Sequence, residues 1–209
     1  MENRTVILAA GDFPRKGGAA WKLLAGAKCV VACDSAADAY RRRFRKWPTV
    51  IIGDLDSFSH PNLFPVPCSL IPVSDQNTND LEKAMSYCAM RGWKSPVIVG
   101  ATGKREDHTI GNVFRALAYD CEIVTDYGRF VPVCGKTTFK VKKGAAVSIF
   151  ARDPKTRMTS RGLEWPLDDV KFRNLYCATL NRATASRVTL TATKPVSVFV
   201  EQQKRRKTR

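Results

Sequence analysis

Up to about Val131 the chain alternates near-continuous apolar runs with segments of helical period; beyond it the runs turn Thr- and Val-rich and alternate polar with apolar. That single change constrains the fold more than any other feature. The early runs are TVILAA (5–10), KCVVAC (28–33), TVIIG (49–53), CSLIPV (68–73), PVIVGA (96–101) and CEIVT (121–125). Runs without alternation predict strands buried on both faces, as in a parallel sheet. Between them the spacing predicts a helix from Asn79, with Glu82 three residues on as a capping box and Leu81, Ala84, Met85, Cys88 and Ala89 on one face. A second helix is predicted from Asp107, with Ile110, Val113, Phe114, Leu117 and Ala118 inward. Strand–helix alternation means an α/β layer fold. The later runs, TTFKV (137–141), AAVSIFA (145–151), LYCATL (175–180), RVTLTAT (187–193) and VSVFVE (196–201), predict an antiparallel β-sandwich or barrel. The expected organisation is a mostly parallel α/β domain over 1–131, a β-sandwich over 132–203 and a basic tail over 204–209.

The 209 residues suit one large domain, or a medium one with a smaller companion. With 44% hydrophobic and 26% charged residues, a wholly disordered chain is excluded. The net charge of +16 is unevenly spread: residues 1–134 hold 17 basic and 14 acidic side chains, residues 135–209 hold 18 and 5. Such a field favours anionic partners. No run of 18 apolar residues occurs; the uncharged stretch 57–74 contains Pro61, Pro65, Pro67 and Pro72, and the run 6–10 is too short for a signal-peptide core. The expectation is a cytoplasmic protein with no membrane partner. Seven cysteines, an odd number without a CxxC pair, suit free thiols in a reducing compartment. His60 and His108 are the only histidines, which speaks against both a zinc site and a Ser/His/Asp triad.

In an open parallel sheet, ligands bind beyond the carboxyl ends of the strands. Asp12, Asp34, Asp54, Asp56, Asp80 and Asp107 all follow predicted strands or open the helices after them. Aspartate is a common cap and turn former, so each has a purely structural reading. Together, carboxylates gathered at one sheet edge require a cation, and Mg²⁺, a hard ion taking oxygen ligands and substrate phosphates, is the natural one. Lys83 follows Asp80 on one helix face. Lys104 and Arg105 lie in the loop GATGKRED (100–107), whose glycines let backbone N–H groups approach phosphate. Carboxylates, a cation and adjacent Lys and Arg are the parts phosphoryl transfer uses. The stretch FVPVCGKT (130–137) lacks the first glycine of a P-loop and precedes a strand, so it is rejected.

The blocks DSAA (34–37), PTVIIGDLDS (48–57), DQNTNDLEK (75–83) and GATGKREDH (100–108), in this order, resemble the thiamin pyrophosphokinase family over nearly the whole chain. The resemblance implies an α/β nucleotide domain followed by a β-sandwich, and transfer of a pyrophosphoryl group from ATP to the hydroxyl of thiamin, giving thiamin diphosphate and AMP. It implies that Asp54, Asp56, Asp80 and Asp107 hold Mg²⁺ and act in catalysis, that Asp34, Lys83, Gly103 and Arg105 bind ATP, and that Gln76 and Thr78 line the junction of thiamin and phosphates. GLEW (162–165) resembles the family's GLKW segment, whose Trp, here Trp165, packs on the thiamin pyrimidine; Asn181 resembles the asparagine of its Ser-Asn motif. The family is a homodimer whose thiamin site combines the α/β domain of one chain with the β-domain of the other.

The chain departs from the family pattern at three places. DSAA (34–37) replaces DGGA, GATGKR (100–105) thins a glycine-rich GGxGGR, and Leu180 stands where Ser precedes Asn181. A pyrophosphokinase acting on another alcohol, such as a hydroxymethylpterin, shares the α/β site and stays open on the Leu180 change. A nucleic-acid-binding protein would rest on the charge, on YRRRFRK (40–46) and on the tail; a solvated helix face explains the first run, and no nucleic-acid motif is present.

Overall fold

The computed structural model describes residues 4–56 and 68–202; Ser57, His60 and the basic segment 204–209 lie outside them. Among the described residues the order is β1 (Thr5–Leu8), α1 (Ala19–Gly26), β2 (Cys29–Cys33), α2 (Ala36–Phe44), β3 (Val50–Gly53), β4 (Ser69–Pro72), α3 (Asp80–Met90), β5 (Val97–Val99), α4 (Glu106–Ala118), β6 (Glu122–Val124), β7 (Gly128–Lys140), β8 (Ala146–Phe150), β9 (Arg157–Arg161), β10 (Val170–Lys171), β11 (Ala178–Arg182) and β12 (Arg187–Glu201). Contacts divide the chain into two units, Met1–Arg115 with Ile123–Asp126 and Ala116–Glu122 with Tyr127–Arg209. No helix among the described residues is long and apolar enough to cross a membrane.

In the first unit the strand order is β6-β5-β1-β2-β3-β4, and β1 to β5 pair in parallel. Val6, Leu8, Val30, Ala32, Ile51 and Val99 point to one face and pack with Ala20 and Leu24 of α1 and Ala36, Ala37 and Tyr40 of α2. The intervening Ile7, Val31, Ile52 and Ile98 are buried as well, and α3 packs against β1, β2 and β3. Burial on both faces is why these runs show no alternation.

The helices depart from the expected stripes in an informative way. In α3 the Asn79 side chain accepts from the Glu82 backbone N–H at 2.9 Å, so the cap is present; Glu82 itself receives Arg115 Nε at 2.9 Å. Lys83 is buried while Ala89 is exposed. In α4 the inward residues are Asn112, Val113 and Ala116, and Ile110 is 61% exposed. The helix is rotated so that a polar amide, not Ile110, faces inward.

The second unit is antiparallel and is organised by β12. Its first part pairs with β9 through Thr189–Ala192 and its second with β8 through Ser197–Val200, while β7 pairs along both. A register shift between Ala192 and Val196 separates the two parts. The two expected strands at 187–193 and 196–201 are therefore one bulged strand that serves two partners, and Pro195, without an N–H, sits at the irregularity. β9 and β10 carry no periodic apolar run and were not expected. Phe139, Val147, Ile149, Met158, Phe172, Val188, Leu190 and Val198 form this unit's core.

Candidate active site

At the carboxyl ends of β2 and β3 the backbone brings carboxylates together. Asp34, buried, takes φ +41° directly after β2, and its N–H donates to Ile52 O at 2.9 Å. A Cβ placed on Gly53 would lie 3.0 Å from Asp34 Cβ and 3.3 Å from Asp80 Oδ1. Asp34 and Asp80 therefore flank the end of β3, and only a glycine leaves the space between them open. Asp54 follows at once, and its Oδ1 accepts from the Asp56 N–H at 3.3 Å, a local turn bond. Lys83, with its side chain only 4% exposed, sets Nζ 3.2 Å from Asp80 Oδ1. Cys33 donates from Sγ to Asp80 O at 3.5 Å; burial, helped by the negative charge of Asp80, pushes this thiol well above its ordinary range and keeps it protonated.

A second group of residues closes on Asp80 from β1 and β5. The loops after these strands are zipped by Gly11 N–H to Gly100 O (2.7 Å) and Asp12 N–H to Thr102 O (2.8 Å). Gly103, at φ +81°, is packed against Asp12 so closely that a Cβ would lie 2.1 Å from its Oδ2. Lys104 follows at φ +59°, rare for a non-glycine residue, and Nζ donates to Ala10 O at 2.7 Å. Arg105 grips Asp107 with both nitrogens, Nε to Oδ1 at 3.1 Å and Nη2 to Oδ2 at 2.6 Å. That guanidinium, more than a backbone bond within the helix turn, holds the Asp107 carboxyl down at about 2. A cavity of about 300 Å³ opens here, lined among others by Gly11, Asp80, Gly103, Lys104, Arg105 and His108.

The expected residues are thus placed in two groups that share Asp80. Asp34, Gly53, Asp80 and Lys83 meet at the end of β3, and Asp80, Gly103 and Arg105 line the cavity. Asp107 is turned onto Arg105. Among the described residues no three acidic, histidine or cysteine side chains form a ready-made metal cage. Gln76 is exposed, and the Thr78 hydroxyl donates to Asp75 Oδ2 at 2.8 Å; the N–H of Asn77 and that hydroxyl hold the Asp75 carboxyl below its usual range.

Asn112 was not singled out from the sequence. Its Oδ1 accepts from Asn79 Nδ2 at 3.3 Å and its Nδ2 donates to Ala101 O at 2.9 Å. It ties the cap of α3, one residue before Asp80, to the loop that carries Arg105. The signal available was a lone amide beside the apolar stripe of α4. His108, to which the sequence assigned no role, lines the cavity.

In the second unit Trp165 is 56% exposed, after the turn at Gly162, whose φ of +84° and 2.4 Å approach to Arg187 O require glycine. Asn181 is buried, and its amide is committed to backbone: Nδ2 to Trp165 O at 2.7 Å, and Oδ1 from the N–H groups of Trp165 (3.2 Å) and Arg182 (2.8 Å). It holds the Trp165 segment in place. Leu180, at φ +60°, is 83% exposed, and its N–H donates to Ser148 Oγ at 3.1 Å.

Comparison with known proteins draws these features together. The family of thiamin pyrophosphokinase catalytic domains matches residues 20–124, and that of thiamin pyrophosphokinase substrate-binding domains matches residues 128–199. Thiamin pyrophosphokinase 1 of Caenorhabditis elegans is 30% identical over 95 residues, 42% of this chain; the match spans only 39% of that relative's length. Among solved structures, the thiamine pyrophosphokinase of Bacillus subtilis superposes with a TM-score of 0.75 at 16% identity, covering 97% of this chain and 100% of that one. That of Candida albicans gives 0.78 at 15% identity, covering 96% and 90%. The fold is shared at these identities, and with both family domains matched in order, the chain belongs to the thiamin pyrophosphokinase family.

Proposed function

We propose that this chain moves a pyrophosphoryl group from Mg-ATP to the hydroxyl of thiamin, giving thiamin diphosphate and AMP, as a cytoplasmic homodimer. The observation that carries the reading is the meeting of Asp34, Gly53 and Asp80 beside the cavity bearing Lys104 and Arg105, in a chain of this family. All the candidate donors are carboxylates, and the space a Cβ would fill at Gly53 is left open between two of them. This suits a hydrated Mg²⁺ held by carboxylates and substrate phosphates rather than by a ready-made protein cage. Asp80, Asp54 and Asp56 would hold it, with Asp107 once released from Arg105, and the ion would supply positive charge that offsets that of the phosphates.

The chain's own groups do the rest. Lys83 fixes the Asp80 carboxylate through Oδ1. Lys104 and Arg105 neutralise the phosphate chain from the loop after β5, and the turn at Gly103 brings backbone close to it. The thiamin oxygen bonds to the β-phosphorus, the bond from that phosphorus to the α–β bridging oxygen breaks, and AMP leaves with it. The hydroxyl proton passes to a carboxylate. Asp80, which lines the cavity, and Asp107, in the first turn of α4, are the candidate acceptors by position. Gln76 and Thr78 line the thiamin–phosphate junction. Trp165 offers the aromatic face for the pyrimidine, and Asn181 acts by holding Trp165.

The test is a nucleotide-product assay with ATP, Mg²⁺ and thiamin that separates AMP from ADP. AMP formed together with thiamin diphosphate, dependent on thiamin and abolished by a chelator, is the expected result. Thiamin-dependent ADP would overturn the pyrophosphoryl step. Turnover only with another alcohol, such as a hydroxymethylpterin, would overturn the acceptor and point to Leu180.

A further inference from the structure

The outward face of the second unit's antiparallel sheet carries charge of one sign. In β12 the side chains of Val188, Leu190 and Ala192 belong to the core, so Arg187, Thr189 and Thr191 point away from it. The strand register extends that face across the neighbouring strands. Arg187 stands opposite Lys140 of β7. Thr189 lies between Thr138 of β7 and Arg161 of β9, and Thr191 between Lys136 of β7 and Thr159 of β9. Arg157, two residues before Thr159, stands opposite Lys171 of β10. Every charged side chain in these rows is a cation, and every one is exposed. Arg157 is paired with Asp169; among the described residues the unit's other ion pairs, Arg129–Glu122 and Lys194–Asp153, use none of the rest. Between the cations the hydroxyls of Thr138 and Thr189 share a hydrogen bond of 3.0 Å.

Like charges directly opposite one another destabilise a sheet, and soluble surfaces ordinarily intersperse both signs. The Arg187–Lys140 pair and its neighbours therefore add nothing to the fold and are suited to an anion outside it. We infer that this face of β10, β9, β12 and β7 docks double-stranded nucleic acid through its phosphates, without reading sequence. Residues in a strand rise about 3.4 Å each and strands lie about 4.8 Å apart. Lys136 and Lys140 on β7, with Arg157 and Arg161 on β9, thus frame a preformed area of about 14 by 10 Å. A duplex, with one charge per about 1.7 Å of its axis, offers a dense row of phosphates over that length. Threonine hydroxyls between the cations supply further donors of the kind that meet phosphate oxygens. The rows hold no aromatic ring on which the bases of a single strand could stack. They hold no large apolar side chain to enter a lipid surface. A second copy of the same face would set cation against cation. The inference stands on the second unit alone and does not depend on the reaction proposed above.

The experiment measures binding of the full chain to a DNA duplex of about 20 base pairs over about 0.05 to 0.15 M salt. The expected result is that K136Q/K140Q/R161Q/R187Q raises Kd at least tenfold at the low-salt end. It also lowers the slope of log K against log salt by about 3, since each phosphate contact contributes about 0.9. K143Q/R152Q/K155Q/R173Q removes the same charge from exposed positions outside these four strands and should change Kd less than threefold. R161K/R187K keeps the charges and should keep binding. Two duplexes of unrelated sequence should bind within twofold of each other. Because Lys140 and Arg187 face each other, the neutralised variant should keep or raise its melting temperature; if it loses fold, K140Q/R187Q alone should still raise Kd about threefold. Equal weakening by the control variant would reduce the effect to general charge attraction and overturn the assignment. Unchanged Kd in the face variant would overturn it too, and move any binding to other basic residues such as 204–209. Tighter binding of a single strand of the same length would overturn the choice of duplex. Preference for vesicles of phosphatidylserine and phosphatidylcholine, lost in the face variant, would replace nucleic acid by a lipid surface. A change of oligomeric state in that variant would make the face a subunit interface instead.

Discussion

The two units fix their functional side chains by different means. In the first, charged groups stand on short loops after parallel strands, and their positions come from backbone held in uncommon conformations: Asp34 at φ +41°, Lys104 at +59°, Gly103 at +81°. In the second, a half-exposed aromatic, Trp165, is held by a buried amide that spends all its hydrogen bonds on the neighbouring backbone. The first arrangement places many charges around an open space, with Asp34 and Lys83 buried and Arg105 and Asp107 exposed. The second places one apolar face firmly. On the proposed function, charges that meet a metal ion and phosphates need room to regroup, whereas a stacking surface gains from being preorganised. Breaking the first should therefore appear in kcat, and breaking the second in KM.

The largest effect is expected at Asp80, the residue common to both groups of the first unit. Asp80→Asn keeps the size of the side chain and the fold of α3, and is expected to cut turnover at least 100-fold, about 2.7 kcal/mol of transition-state stabilisation. The same loss is expected for Asp54→Asn. Near-normal turnover of both at saturating Mg²⁺ would reject the metal-centred reading.

In the second unit the contrast predicts a different signature. Asn181→Ala removes the amide but not Trp165, and leaves the Trp165 and Arg182 N–H groups without their acceptor, a cost of about 1–3 kcal/mol where they are buried. The expected kinetic result is a KM for thiamin raised about tenfold with kcat within twofold, alongside a lowered melting temperature. Trp165→Ala should raise KM as much with little loss of stability, because the indole is exposed. If Asn181→Ala lowered kcat while leaving KM unchanged, the positioning role would fail.

The sequence showed one of these arrangements more readily than the other. Carboxylates after strands were legible because a parallel sheet dictates where its strand ends face, and the α3 cap was legible because Asn79 and Glu82 carry their spacing on their face. The role of Asn112 was not, since its partners Asn79 and Ala101 are 33 and 11 residues away and its inward turn contradicts the apolar stripe. Nor was Asn181's: a ligand-binding amide and a backbone-binding amide are the same residue until Trp165 is seen against it. β12 was read as two strands because Lys194 and Pro195 interrupt its apolar run, and a bulge hides a continuous strand from any test of alternation.

A smaller effect separates positioning from stability within the first unit. Asn79→Ala removes the α3 cap and the bond to Asn112, and is expected to cost about 1 kcal/mol of stability. Because Asp80 is the next residue, kcat should fall more than that loss of folded protein explains. Asn79→Asp keeps the cap to Glu82 but cannot donate to Asn112, so it should restore stability while kcat stays low. Full recovery of kcat in Asn79→Asp would show that the Asn79–Asn112 bond does not set the position of Asp80.

The smallest expected change isolates Arg105 from the rest of the first unit. Its hydrogen bonds to Asp107 are the main cause of that carboxyl's depressed pKa of about 2. A depressed folded-state value means the pair supports the native state above the ordinary carboxylate pKa and stops doing so as pH falls through about 2. Both side chains are well exposed, 66% and 63%, so solvent screens the pair and little global stability should follow it. In Arg105→Gln the Asp107 carboxyl should return toward the ordinary aspartate range, read from its carbon-13 shift across pH 1 to 6, with the melting temperature at pH 7 nearly unchanged. The same variant, by freeing Asp107 while removing a phosphate-neutralising charge, should weaken ATP binding more than it weakens Mg²⁺ binding. An unshifted Asp107 titration would mean that the ion pair does not form in solution.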